Sequence, residues 1–185
     1  LMCLYAYNRR DDGDLVKAES ELMLTINKSL ELYYYILLLI IEIADVAEER
    51  INFSINKKIK SDDDLNPNRR FVENKLIHQL RNNESLKKYR ETSGISWAVN
   101  KGLPKTLFSS LQKWDKYINY MNDEKSGYSE DKKIIIRIVT DFFPESDELL
   151  SALEEMSIYW NDDLENITAM VEKTLRRFKK NSGTD

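Results

Sequence analysis

Between Asp14 and Asn66 the chain holds neither glycine nor proline, and its apolar or small residues recur at 15, 18, 22, 26, 30, 33, 37, 40, 44, 47, 51 and 55. Every step is three or four residues, the repeat that lines up one face of an α-helix. A single helix over residues 15–58 would be ~65 Å long at 1.5 Å per residue. That exceeds a small domain, so the pattern predicts a long helical segment interrupted near Asn27–Glu31. From Leu32 to Ile43 nearly every face is apolar. Such a stretch marks a central buried helix, with Leu37, Leu38, Ile40, Ile41 and Ala44 in the core.

The rest of the chain reads the same way. With 5 glycines and 3 prolines in 185 residues, it cannot supply the turns that a sandwich or barrel needs every ~8–12 positions. The fold class expected is all-α, a multi-helix bundle. A turn at Asp11-Asp12-Gly13-Asp14 puts Asp14 at the N-cap of the long segment. Ser61–Asn68 is a polar loop, and a helix carrying Phe71, Val72, Leu76, Ile77 and Leu80 is expected after it. A shorter helix follows around Leu86–Tyr89, and Gly94 and Gly102 bracket a connector with Trp97. Pro104 suits the first turn of a helix with the stripe Leu107, Leu111, Trp114, Ile118 and Met121. Ser126-Gly127 breaks the chain again. Ile134–Val139 is β-rich in propensity but reads as helix, because no partner strand exists, and Pro144 ends it. Helices are expected over Asp147–Met156 and from Asn161-Asp162-Asp163 through Leu164, Ile167, Val171, Leu175 and Phe178.

Little in the sequence points to catalysis. Cys3 is the only cysteine and His78 the only histidine, which removes intramolecular disulfides, thiolate cages and His-rich metal sites. His78 has no identifiable orienting partner for general-base work. Asp62-Asp63-Asp64 resembles half of a calcium loop, but Pro67 stands where that loop needs glycine. Asp162-Asp163 reads as first-turn helix charge, and no glycine-rich phosphate loop occurs. The expectation is a non-enzyme with no cofactor and no metal. The apolar run Leu32–Ala44 contains Glu42 and is too short for the ~20 residues of a membrane span. Leu1–Tyr7 lacks the basic start of a signal peptide. The expected setting is soluble and cytoplasmic.

Charge is segregated. Residues 1–66 carry 8 basic and 13 acidic side chains, residues 67–140 carry 15 and 8, and residues 141–185 carry 5 and 11. A basic block between acidic flanks suggests an anion-binding face. Its densest part holds Arg69, Arg70, Lys75, Arg81, Lys87, Lys88 and Arg90, with Tyr89 among them. Basic groups neutralise phosphates and aromatic faces stack on unpaired bases. The competing reading is a solvated helix face. Tyr33-Tyr34-Tyr35 point three ways around a helix and read as core or interface residues.

Four strings carry a family resemblance: Leu4-Tyr5-Ala6-Tyr7, the helix Leu32–Ile51, Leu65-Asn66-Pro67-Asn68-Arg69-Arg70-Phe71-Val72, and Ser157-Ile158-Tyr159-Trp160-Asn161-Asp162-Asp163-Leu164. Together they resemble the transcription antitermination factor NusB family, in the longer form found in Bacteroidetes. The resemblance implies an all-helical fold that binds the boxA element of nascent ribosomal transcripts together with ribosomal protein S10 (NusE). It also implies entry into the RNA polymerase antitermination complex. The family's Ala-Leu-Tyr-type motif, whose tyrosine contributes to RNA contact, reads Cys3-Leu4-Tyr5 here, so Tyr5 is the residue carried over. The family's arginine-rich start is absent, as are the Val/Ile-Asn-Glu and Phe-(Val/Ile)-Asn-Gly stretches of its C-terminal half. The chain is accordingly expected to be the N-terminal portion of a longer protein. Residues 1–60 would be NusB-like helices, residues 61–180 the extension typical of the long form, and residues 181–185 a polar tail. The RNA-binding candidates are Tyr5, Arg69, Arg70, Arg81, Lys87, Lys88 and Arg90. The alternative is a helical protein–protein interaction module without nucleic-acid binding.

Overall fold

The computed structural model describes residues 15–57, 65–160 and 163–180. Among them there are eight α-helices and no strand. The elements are α1 (Leu15–Ile55), α2 (Lys75–Arg81), α3 (Glu84–Ser93), a 3₁₀ turn (Trp97–Asn100), α4 (Gly102–Leu111), α5 (Asp115–Asn122), α6 (Tyr128–Arg137), α7 (Asp147–Met156) and α8 (Leu164–Arg177). The all-α bundle expected from composition is the fold observed.

The break expected near Asn27–Glu31 does not occur. α1 runs unbroken for 41 residues, about 60 Å at 1.5 Å per residue. No residue in it forbids helix, and its length is accommodated because only its middle, from Leu32 to Ala47, is deeply buried, while both ends carry exposed side chains. Leu32, Ile36, Leu39, Ile40, Ile43 and Ala44 are at most 2% exposed. Leu37, Leu38 and Ile41 are buried with them. α2, α4 and α8 pack against α1, and one continuous core extends from Leu32 to Leu175.

Two other helix boundaries differ from expectation. Phe71 and Val72 lie in a turn, and α2 starts only at Lys75 because the buried Asn74 caps it. Its carboxamide oxygen accepts from Leu76 N at 2.9 Å and Ile77 N at 3.2 Å. The expected single helix through Leu107–Met121 is two helices, α4 and α5. Trp114 between them is extended, with φ −78° and ψ 124°. The apolar spacing runs on through this joint, and Ile118 is 39% exposed.

The isoleucine run is helical, as expected. It closes with one π-type turn over Ile138–Phe142, in which Phe143 N donates to Ile138 O at 2.9 Å. Ile134, Ile135, Ile136, Ile138 and Val139 are all buried, so packing overrides their β preference. Trp97 is buried and its indole N–H donates to Tyr35 O at 2.9 Å. Asp163 makes no side-chain cap bond. Its carboxylate instead accepts from Ser29 Oγ at 2.9 Å, tying the start of α8 to α1. The turn at Asp11–Asp14 and the loop Ser61–Asp64 lie outside the described residues.

Candidate nucleic-acid interface

The basic block is brought together by α2 and α3, which lie against α1. α1 presents Glu42, Asp45, Glu48 and Glu49 at helical spacing on the facing side. Arg81 forks onto this row, bonding Asp45 closely and Glu48 at 3.5 Å. Arg90 meets Glu42 at 3.7 Å. Arg69 pairs with Glu73 at 3.0 Å and reaches Glu48 at 4.0 Å. Three of the candidate arginines are therefore arms of an inter-helix ion clasp.

The fourth arginine is also committed. Arg70 donates to the carbonyls of Asp123 and Lys125, and its guanidinium lies 4.5 Å from the Tyr120 ring centroid. It pins the loop after α5 to the turn before α2. Arg70 Nε and Arg81 Nε are buried without a hydrogen-bond partner, since each fork spends its terminal nitrogens. Lys87 pairs with Glu84 of its own helix at 2.9 Å. Lys88 is exposed and forms no ion pair among the described residues. Tyr5 lies outside the described residues.

Desolvation shapes the electrostatics. Burial, then the neighbouring Asp45 charge, pushes the Glu42 carboxyl above its ordinary value. Burial does the same to Asp45 despite the opposing pull of Arg81. The clasp thus holds carboxylates in a site that under-solvates them, with the arginines as partial compensation. A cleft of about 260 Å³ opens beside it, lined by Leu38, Ile41, Asp45, Leu80, Arg81, Leu86, Lys87 and Arg90.

Sequence reasoning missed two features. Tyr89 stacks on Tyr34 with ring centroids 3.6 Å apart and planes 11° off parallel. The aromatic face read as available to a base is thereby occupied on one side by a ring from α1. Tyr35 is buried, in keeping with the core reading of the tyrosine triplet. The second feature is a groove of about 500 Å³ between the C-terminal half of α1, the 67–72 turn, α4 and α5. Arg50 spans its rim, bonding Gln112 at 2.8 Å and Ser109 at 2.6 Å. No local signal marks either feature, because each joins residues more than fifty positions apart.

His78 is exposed on α2. Among the described residues no group of three or more His, Cys, Asp or Glu side chains is placed to hold a metal ion. Among the same residues no helix is long and apolar enough to cross a membrane. No family model, no curated protein and no solved structure matches this chain.

Proposed function

We propose that this chain is a non-enzymatic, cytoplasmic, NusB-like antitermination factor. In this reading it binds boxA-type RNA together with ribosomal protein S10 (NusE) and joins the RNA polymerase antitermination complex. The observation that carries the reading is the set of four residue strings, two of which sit at structural joints. Leu65–Val72 delivers Phe71 and Val72 to the core. Ser157–Leu164 brings in Trp160, whose indole N–H donates to Lys28 O at 2.9 Å.

RNA contact in this reading falls to the outward-facing Lys87 and Lys88 and to Tyr5. The arginines Arg69, Arg70, Arg81 and Arg90 hold the surface in shape. The test is Lys87→Ala/Lys88→Ala in the full-length protein. Affinity for boxA and for a scrambled RNA should fall by similar factors. The salt slope should shrink by about 1.4 log units for two lost single-strand phosphate contacts. Unchanged affinity and unchanged slope would refute the assignment of these lysines.

A second reading, a helical protein-interaction module without nucleic-acid binding, is favoured by one specific observation. Glu42, Asp45, Glu48 and Glu73 neutralise Arg69, Arg81 and Arg90 within the chain. The clasp therefore offers phosphate little uncompensated positive charge. Partner binding that is flat in salt would support this reading over the first.

A further inference from the structure

The groove between the C-terminal half of α1, the 67–72 turn, α4 and α5 is large enough for a small molecule, at about 500 Å³. Its lining is mostly apolar, with Ala47, Ile51, Val72, Phe108, Ile118 and Met121 along it. Among the described residues that line it, Arg50 is the only charged one. None of them is acidic, in a chain that holds 32 acidic residues. Neutral groups alone hold Arg50 in place. Its guanidinium donates to Gln112 Oε1, Ser109 Oγ and Lys105 O, and it lies 4.9 Å from the Phe108 ring centroid. Arg50 forms no ion pair among the described residues. Those bonds leave its charge and part of its N–H fork unspent. A guanidinium already fixed in place takes an anion at little ordering cost.

Tyr117 supplies an independent observation. It lines the same groove and is 6% exposed. Its hydroxyl bonds no described residue, whereas those of Tyr33, Tyr120 and Tyr128 all find partners. Among the described residues only Arg70 Nε and Arg81 Nε are sealed from solvent without a partner. The Tyr117 hydroxyl therefore still meets solvent, and the groove is the opening it lines. Burial raises its pKa from the ordinary 10, so it stays protonated and able to donate. Bracing α1 against α4 accounts for the bonds of Arg50. It does not account for an unpaired hydroxyl on a buried side chain.

We propose that this groove binds a small amphipathic monocarboxylate, a hydrocarbon body with one anionic head. The body lies on the apolar lining. The carboxylate accepts from Arg50 and Tyr117, which both pack on Phe108. A few polar groups among apolar walls are what orients a ligand in such a pocket. The inference is independent of RNA binding.

Decanoate is the probe, added to the 185-residue chain below its micelle concentration. Methyl resonances of Ile51, Val72, Ile118 and Met121 should shift saturably. Those of Leu22 and Ile26, exposed on the first half of α1, should not. Decyltrimethylammonium, with the same chain length and the opposite charge, should bind about tenfold more weakly or worse. Tyr117→Phe removes no internal hydrogen bond, so the thermal midpoint should hold while decanoate affinity falls about three- to tenfold. Arg50→Gln should lower affinity about tenfold or more; if that variant fails to fold, Tyr117→Phe carries the test alone. Equal binding of the cationic amphiphile would mean an unselective apolar surface and would overturn the proposal. So would unchanged decanoate affinity in Tyr117→Phe. Groove methyl shifts that follow protein concentration without any ligand would assign the groove to a second copy and overturn it equally.

Discussion

Asn74 is fully buried, and its side chain makes four hydrogen bonds. It caps α2 through Leu76 N and Ile77 N, and it donates to Tyr120 Oη at 3.2 Å and to Asp131 O at 3.0 Å. Tyr120 in turn donates to Asp131 Oδ1 at 2.8 Å, and Lys75 N donates to Asp131 Oδ2 at 3.0 Å. One carboxamide thus joins α2, α5 and α6. Asn74→Ala removes a cap worth ~1 kcal/mol. It also leaves the buried Asp131 carbonyl without its Asn74 donor, a cost of ~1–3 kcal/mol, with first-turn N–H groups orphaned beside it. The sum is about 2–4 kcal/mol. With a urea m-value of ~2 kcal/mol/M, the midpoint followed by circular dichroism should fall by about 1–2 M. Asn74→Asp keeps the cap acceptors but loses both donors and sets a second carboxylate beside Asp131, so it should remain clearly destabilised. Tyr120→Phe combined with Asn74→Ala should cost less than the two singles added, because they share partners. A midpoint shift for Asn74→Ala under about 0.3 M, well below what one buried hydrogen bond predicts, would refute the claim that this network holds the three helices together.

Leu37 is 4% exposed, so Leu37→Ala should cost ~2–5 kcal/mol in equilibrium unfolding. Gly94 ends α3 at φ 68°, and a Cβ built there meets nothing within 4 Å. Gly94→Ala should therefore cost only the left-handed backbone penalty of ~1–2 kcal/mol, measured the same way, and Gly94→Asn should cost less. Glu42 has its carboxyl pushed up from the ordinary 4.5 by burial. A folded value above the unfolded one means that the stability it permits is complete at low pH and declines as pH rises through that window. Glu42→Gln should be neutral or stabilising at pH 7, and the difference should vanish at pH 3.5, by thermal midpoints at both values.

The local features were legible from the sequence. The three-four spacing from Leu15 to Ile55 marks a helix, Gly94 stands at the end of α3, and Pro144 follows the helical isoleucine run. The core residues Leu37, Leu38, Ile40, Ile41 and Ala44 follow from periodicity, because the helical repeat is a property of neighbours in the chain. The basic block, by contrast, read as an open anion-binding face. The structure turns Arg69, Arg81 and Arg90 onto Glu42, Asp45 and Glu48, more than twenty residues earlier. Charge density along a sequence says nothing about which charges face each other, so that pairing was decided only by how α2 and α3 dock. The same holds for the stacking of Tyr89 on Tyr34 and for the joint at Trp114, through which the apolar spacing continues without a mark. The unbroken α1 is the converse case. The sequence contains no breaker, and only the size of a compact domain argues for a break. The fold instead buries the stretch from Leu32 to Ala47 and leaves the apolar face of the earlier half exposed. Periodicity determines that a face is apolar; only the tertiary arrangement determines which part of that face the rest of the chain covers.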